Sequence, residues 1–290
     1  MKHECMLMSQ QGCCPRSITV ISSMAFDVQP LAAALDGMGF DVFTTFKCSW
    51  YNDYIESLRL ATDADHVGGV AFRLAPLPHF GRGGDALALL IGNSKAMWPV
   101  FLRWMRDRIG SQLADPVDSF AAETIGNAVA HAAGDTRYEI FWAADFSPER
   151  LVDMNRAAFV SGLCYFSDET FLSIHPTFGP WVAFRAVVVL DLPADGLGAP
   201  PAPMPPLLSK EESIAAKAAF EEAMAASSAV DLSCSGMTAD IATKWAAMRD
   251  CVSLGREHKY SALQSEYHYT KNRDVLVRAM DADGQPHSKE

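Results

Sequence analysis

One stretch of the chain, Trp181 to Leu190 with the sequence WVAFRAVVVL, constrains the possible folds more than any other. Apolar residues occupy both its odd and its even positions. Successive side chains of a strand point to opposite faces, so this pattern predicts a central strand in a sheet that is covered on both sides. Its single charged residue, Arg185, is therefore expected inside the protein.

Arg185 indicates a need for an anion. Period-two alternation places it on the same face as Val187 and Val189, so its guanidinium leaves an otherwise apolar surface. An unpaired buried arginine is unfavourable by several kcal/mol, so it must meet a negative charge. Two interpretations stay open, an internal carboxylate and an anionic ligand, and the residues alone favour the carboxylate.

Shorter signals outline the rest of the sheet. The runs Phe40 to Phe46, Asp85 to Gly92 and Arg137 to Ala143 predict strands, bounded by turn residues. Two helices are expected to begin at Asp115-Pro116 and at Ser147-Pro148, where a capping side chain precedes a proline at the first helical position.

The chain changes character after the central strand. Six prolines lie between Pro193 and Pro206, which predicts an extended surface linker. Ser209 and Glu212 then form a capping box that opens a helix to about Ser227. Two further helical stripes follow, and we expect the helical part to pack back on the sheet. The predicted organisation is a flexible leader over 1–16, a single domain over 17–280 with its helical part at 209–280, and a flexible tail over 281–290.

Composition argues against several classes of function. The net charge is −11 and no basic run is interleaved with aromatics, so nucleic acid is not expected as a partner. No apolar stretch approaches the roughly 18 to 20 residues of a membrane span, and no convincing secretory signal is present. The seven cysteines show no CxxC spacing, which favours reduced thiols in the cytoplasm.

No recognised catalytic or metal-binding motif in the sequence identifies a function. No HExxH, other metal-ligand spacing or GxSxG motif occurs, so a protein-bound metal and classical hydrolase chemistry are not supported. The glycine-rich segment from His79 to Gly84 precedes a strand instead of following one, which favours a flexible turn over a phosphate loop.

Three separated motifs of the chain resemble segments of one known family. The most specific is Ile174 to Leu190, IHPTFGPWVAFRAVVVL, a His-Pro loop that leads into an apolar strand with a central arginine. It resembles the His-Pro-x-Phe-Gly-Gly-Trp loop and strand of the cobalamin-processing family named for methylmalonic aciduria and homocystinuria type C. Phe46 to Tyr54, FKCSWYNDY, and Asp115 to Asp118, DPVD, are similar to two further family segments. The resemblance covers roughly residues 40 to 278.

The resemblance implies a fold and an activity. The fold would be α+β, a flavin nitroreductase-like sheet flanked by helices with a C-terminal helical extension packed on it. The chain would bind cobalamin with its lower base detached, remove alkyl groups with glutathione, and remove cyanide reductively with reduced FMN or FAD. Some family members form homodimers and associate with a cobalamin-trafficking partner protein of type D.

The resemblance also implies site residues. Arg185, Arg249 and Arg273 correspond to the arginines that hold glutathione, whose carboxylates suit planar guanidinium groups. No side chain would act as nucleophile, because the thiol comes from glutathione and the metal from cobalamin. The implied cobalamin contacts are Tyr165, Phe166, Ile174, His175, Phe178, Gly179, Trp181 and Tyr260.

The chain departs from the family pattern around these contacts. Phe159 stands where the family has a histidine, Pro180 replaces a glycine, and the connection over 167–173 is short. Two alternatives therefore stay open beside the enzyme: a non-catalytic cobalamin carrier, and a plain flavin oxidoreductase of the nitroreductase type.

Overall fold

A four-stranded antiparallel sheet forms the centre of the computed structural model, which describes residues 26–61, 73–82, 85–108, 110–228 and 237–284. The strands are β1 (Val42–Lys47), β2 (Ala86–Asn93), β3 (Tyr138–Trp142) and β6 (Ala183–Pro193), in the spatial order β1-β2-β6-β3. A separate two-stranded ribbon consists of β4 (Tyr165–Phe166) and β5 (Ser173–Ile174). All four predicted strands are confirmed, with boundaries that shift by one to three residues.

Helices cover both faces of this sheet. Strand β6 pairs with β2 on one side and with β3 on the other, which confirms its predicted central position. The helices of the described residues are α1 (Gln29–Gly37), α2 (Cys48–Ala61), α3 (Met97–Arg106), α4 (Pro116–Ala133), α5 (Met154–Val160), α6 (Lys210–Ser228), α7 (Ala239–Asp250), α8 (Ala262–Thr270) and α9 (Arg273–Gly284).

The side chains of β6 divide between two hydrophobic cores. Val188 and Leu190 pack against α1, α3, α4 and α9 on one face, whereas Val187 and Val189 pack against α2 and α5 on the other. All four are 0% exposed. Burying a side chain of this size contributes about 1.5–3 kcal/mol. The continuous apolar run therefore reflects a strand that supplies both cores of a three-layer arrangement.

One of the two predicted helix starts is confirmed and the other is wrong. The Asp115 carboxylate caps α4 by accepting hydrogen bonds from the backbone N–H groups of Val117 and Asp118 at 3.0 and 3.1 Å. The Ser147 hydroxyl instead donates to Asp145, and the chain there makes only a turn. Helix α5 begins at Met154, where Asp153 provides the cap.

The C-terminal helices pack back on the rest of the chain, as expected. The capping box that opens α6 is confirmed by reciprocal hydrogen bonds between Ser209 and Glu212. Side chains of α6 and α7 pack on the β4–β5 ribbon, and side chains of α8 and α9 complete the core beside α3. The proline-rich segment is extended after a short 3-10 turn at Asp195–Leu197.

Several predicted features fall partly or wholly outside the described residues. They are the leader over 1–16, Gly83 and Gly84 of the glycine-rich turn, and residues 285–290 of the predicted tail. Helix α9 continues to Gly284, past the boundary placed at 280. Within the described ranges no helix combines the length and the apolarity that crossing a membrane requires.

Candidate functional site

A β-bulge in the central strand aims Arg185 away from its predicted face. Ala186 pairs with Ile91 and Phe184 pairs with Gly92, so Arg185 is the extra residue that has no partner on β2. A bulge redirects the side chain at its position. Arg185 therefore points toward α4 and not to the face of Val187 and Val189, so the predicted period-two face is wrong.

Arg185 is buried but only loosely paired. Its Nε donates to the Asn93 side-chain oxygen at 2.7 Å, whereas Nη1 lies 3.7 Å from a carboxylate oxygen of Asp118. The Arg185 side chain is 11% exposed and that of Asp118 is 39% exposed. Burial, followed by the neighbouring Asp115, raises the pKa of Asp118. The 3.7 Å separation and the exposure of Asp118 make this carboxylate a weak counter-ion. The internal carboxylate exists, yet it leaves room for a second anion.

Arg249 lies on α7 without an anionic partner among the described residues. Its Nη1 atom is buried and has no acceptor in good hydrogen-bond geometry there, although Arg249 lies close enough to the Tyr260 hydroxyl to oppose the rise in the phenol pKa that burial causes. Three aromatic rings surround the guanidinium, with their centroids 5.9, 5.9 and 5.7 Å from Cζ for Trp181, Tyr260 and Tyr269. These rings offer cation–π attraction but no charge. A buried donor in this position is suited to an anionic ligand.

The two arginines share one cavity of about 570 Å³, which we call the arginine cavity. This volume falls within the roughly 300–1,000 Å³ of typical ligand pockets. Its lining includes Arg185, Arg249 and His268. Phe146 and Phe171, which are 76% and 55% exposed, also line it. The sequence did not point to His268 or to these phenylalanines. Further aromatic side chains of the lining are Phe184, Phe220, Trp245 and Tyr269.

The loop before β6 stabilises itself. The Nδ1 atom of His175 accepts hydrogen bonds from the backbone N–H groups of Thr177 and Phe178 at 3.1 and 3.2 Å. Burial lowers the pKa of His175, which keeps this acceptor unprotonated. Gly179 has a φ of +57°, and a Cβ there would lie 1.9 Å from the backbone oxygen of Leu254. The histidine and the glycine thus have structural roles in this loop.

Comparisons with known proteins agree with the fold and the motifs. Over 172 residues the chain is 24% identical to "Cyanocobalamin reductase / alkylcobalamin dealkylase" of Danio rerio, which covers 54% of this chain and 61% of that protein. The Homo sapiens protein of the same name is 28% identical over 178 residues, covering 56% of each. The crystal structure of a C. elegans B12-trafficking protein, CblC, superposes with a TM-score of 0.57 at 17% identity and covers 91% of this chain and 98% of that one. No protein-family model matches.

Over 54% and 56% of its length, the chain is similar to curated proteins of the family that its sequence motifs resemble. Its α+β fold is the nitroreductase-like fold expected from that resemblance. The chain spans about three fifths of the length of the curated relatives that it matches, 61% and 56% in the two comparisons.

The structure brings together two of the three arginines expected from the family. Arg185 and Arg249 line the arginine cavity. Arg273, at the start of α9, does not line it and instead donates to the backbone oxygen of Leu113. Arg273 is exposed to solvent. The described structure therefore contains a two-arginine site, with Arg273 outside it.

None of the eight cobalamin contacts expected from the family lines the arginine cavity. Phe166 is 5% exposed and lies beneath Phe171, with ring centroids 6.3 Å apart. Ile174 is 0% exposed in the core under α6 and α7. The eight expected contacts are Tyr165, Phe166, Ile174, His175, Phe178, Gly179, Trp181 and Tyr260.

Two of these residues still contact the site. Trp181 and Tyr260 pack edge to face at 5.6 Å, and both flank the guanidinium of Arg249. The indole N–H of Trp181 and the hydroxyl of Tyr260 are buried without hydrogen-bond partners among the described residues. They support Arg249 from behind and do not form the cavity surface.

The departures from the family pattern have structural consequences. Phe159 packs on Tyr54 with ring centroids 5.4 Å apart, so this position is apolar. The short 167–173 connection is a tight turn in which the backbone N–H of Ser167 donates to Leu172. It holds Phe171 at a φ of +56°, a strained value for a residue with a side chain. The turn thereby presents the exposed Phe171 ring at the arginine cavity.

Proposed function

We propose that this chain binds cobalamin base-off and removes its upper axial ligand by glutathione-dependent dealkylation. The observation that carries the proposal is the buried guanidinium of Arg249, which has no acceptor for Nη1 and shares a cavity with Arg185. The curated relatives named as cyanocobalamin reductase / alkylcobalamin dealkylase support the same activity.

Glutathione matches this pair of cations by charge and shape. It carries two carboxylates, and a guanidinium group binds a carboxylate through two parallel hydrogen bonds. One carboxylate would satisfy Arg249, and the other would supplement the distant Asp118 at Arg185. Arg273 would act at most from outside the cavity, because its guanidinium is bonded to Leu113.

The same cations favour the reactive form of the thiol. A nearby positive charge stabilises a thiolate relative to a thiol, so the arginine charge that the bound carboxylates do not neutralise would lower the thiol pKa. The thiolate would attack the cobalt-bound carbon in line, forming the S–C bond while the Co–C electron pair remains on cobalt. The products are a thioether and cob(I)alamin, and no protein nucleophile takes part.

The corrin ring is assigned to the aromatic part of the cavity. Phe146 and Phe171 are among the large hydrophobic side chains that the described structure leaves exposed, and both line the arginine cavity. An apolar macrocycle resting on them would bury surface that is now in water. The cobalt-bound carbon would then face the sulfur of a glutathione held by the arginines.

Removal of cyanide would additionally need a reduced flavin, FMN or FAD. In the arginine cavity the cations that a flavin phosphate would meet are Arg185 and Arg249, the two already assigned to glutathione. Flavin and glutathione would therefore compete for the same two cations. The cytoplasmic location, the homodimer and the type D partner protein stay predictions of the family resemblance.

A non-catalytic carrier is the second candidate, and one observation favours it. Phe159 replaces the family histidine and is packed on Tyr54, outside the arginine cavity, so this position offers no hydrogen bond to a ligand. A carrier would bind cobalamin base-off and would leave the alkyl group in place.

An anaerobic visible spectrum of the protein with methylcobalamin, before and after glutathione, tests the proposal. We expect a base-off shift on mixing and cob(I)alamin with S-methylglutathione after the thiol. Arg249→Met should keep the base-off shift and weaken glutathione binding roughly ten- to hundred-fold, because a hydrogen bond to a charged group contributes about 1.5–3 kcal/mol. Arg103→Met, at an exposed position of α3, is the matched control.

Each other outcome has a defined meaning. A base-off shift with no thioether would leave the carrier. No spectral shift would overturn the cobalamin proposal, and equal glutathione affinity for Arg249→Met and the control would overturn the assigned site.

A further inference from the structure

His268 is a histidine inside the arginine cavity that the proposed reaction has not yet used. It lies in the last turn of α8 and lines the cavity with Arg185 and Arg249. Its ring is held by edge contacts with Tyr260 and Tyr269, at centroid distances of 5.6 and 4.8 Å. Neither ring nitrogen hydrogen-bonds to a residue of the described ranges. Both nitrogens are therefore available to a ligand.

The surroundings of His268 keep its imidazole neutral. Burial is the largest cause that holds its pKa well below the usual 6.5, and the charges of Arg249, Arg185 and Lys271 act in the same direction. The remaining groups in ring contact are the phenols of Tyr260 and Tyr269, whose pKa values burial raises, so both are uncharged. A neutral imidazole has a free lone pair and can act as a general base.

We propose that His268 accepts the thiol proton of glutathione in the cobalamin dealkylation, an inference that rests on the proposed function. The S–H bond breaks and its proton moves to a ring nitrogen of His268. The sulfur then forms its bond to the alkyl carbon, and the Co–C electron pair stays on cobalt. The imidazolium afterwards releases the proton to solvent, which restores the neutral base.

Binding of the co-substrate strengthens this base. In the ligand-free cavity the two guanidinium charges oppose an imidazolium beside them. When the carboxylates of glutathione pair with Arg185 and Arg249, that opposition falls and the pKa of His268 rises. The base thus gains strength only when the thiol that it serves is present.

A small, partly open cavity beside His268 offers a path to solvent for the released proton. It has a volume of about 20 Å³ and is lined by His268, Tyr260, Tyr267 and Lys271. A volume of about 10–15 Å³ is enough for one water molecule. The hydroxyls of Tyr260 and Tyr267 are buried without partners among the described residues, so a water here would have polar neighbours.

The pH dependence of methyl transfer in His268→Gln tests the inference. At saturating glutathione and neutral pH we expect the rate to fall roughly 10²- to 10⁴-fold, the usual contribution of a general base. The rate should recover as the pH rises toward the ordinary thiol pKa of about 8.5, because the thiol then ionises without help. The base-off shift and the Kd for glutathione should not change. His131→Gln is the control, since His131 is exposed in the last turn of α4.

A second measurement needs no turnover. The NMR titration of the His268 ring proton, without cobalamin, should give a higher pKa with glutathione than without it.

His268→Asn provides a second variant without a base for the pH–rate measurement. A wild-type protein that forms no thioether would overturn the proposed function and this inference with it.

Other outcomes would overturn the inference alone. They are unchanged pH–rate profiles in both variants, a loss of rate that does not recover at high pH, loss of the base-off shift, or a His268 pKa that glutathione leaves unchanged.

Discussion

Replacing Arg249 with methionine should show whether this arginine binds a ligand or stabilises the fold. Methionine retains the apolar stem and removes the charge. A buried donor without an acceptor costs about 1–3 kcal/mol. The centroids of the three aromatic rings lie 5.7 to 5.9 Å from Cζ of Arg249, near the limit of cation–π attraction. Each ring therefore stabilises the guanidinium by about 0.5 kcal/mol.

These contributions set the expected change in the free energy of unfolding. Losing about 1.5 kcal/mol of attraction and removing a cost of about 1–3 kcal/mol gives a range from about 0.5 kcal/mol destabilising to about 1.5 kcal/mol stabilising. Near the upper value Tm would rise by roughly 3–6 °C. Glutathione should raise the Tm of the wild-type protein and have little effect on the variant.

Arg156→Met is the matched control for this experiment. Arg156 is also half-buried among aromatic rings, but it pairs with Asp153 at 3.0 Å and donates to the Tyr54 hydroxyl at 3.2 Å. Its loss should destabilise the protein by about 1.5–3 kcal/mol. Urea unfolding of both variants without ligand gives the comparison. A loss of more than about 2 kcal/mol in Arg249→Met would refute the ligand assignment, since the residue would then support the fold.

Three further results are expected. Gly179→Ala should destabilise the protein by about 3 kcal/mol or more in urea unfolding, whereas Gly134→Ala, at a φ of +55° with no atom within 4 Å of its Cβ, should cost only about 1–2 kcal/mol. The depressed pKa of His268 contributes stability that is present above its usual 6.5 and is lost as the pH falls toward the folded value, so His268→Gln should flatten this slope in pH-dependent unfolding. Phe171→Gly should relieve the strain of a φ of +56° and stabilise by about 1 kcal/mol or less, while titration shows weaker cobalamin binding; unchanged affinity would contradict its assignment to the corrin site.

The candidate site could be only partly predicted, for reasons visible at single residues. The need of Arg185 for an anion follows from one charge in an apolar strand, and the structure supplies only a carboxylate at 3.7 Å. His268 gave no signal, because a lone histidine near Tyr267 and Tyr269 resembles an ordinary aromatic stripe. Phe171 lies in the 167–173 connection, whose short length is the only feature that the sequence shows there.

The sequence by itself determined the features that act over a few residues. The apolar run of β6 fixes a strand between two cores, the Asp115 carboxylate caps α4, and the Ser209–Glu212 pair opens α6. Each signal rests on side-chain periodicity or on hydrogen bonds to nearby backbone, so distant residues are not needed to interpret it.

Only the tertiary structure decided where the charges meet. The bulge that turns Arg185 toward α4 depends on its register with β2, which no local pattern records. Arg249 and His268 reach the same cavity because α7 and α8 dock beside β6, whereas the adjoining Ile174 is buried behind the wall. Burial and the neighbouring cations, which set the pKa of His268, arise from that docking and therefore cannot be obtained from the sequence alone.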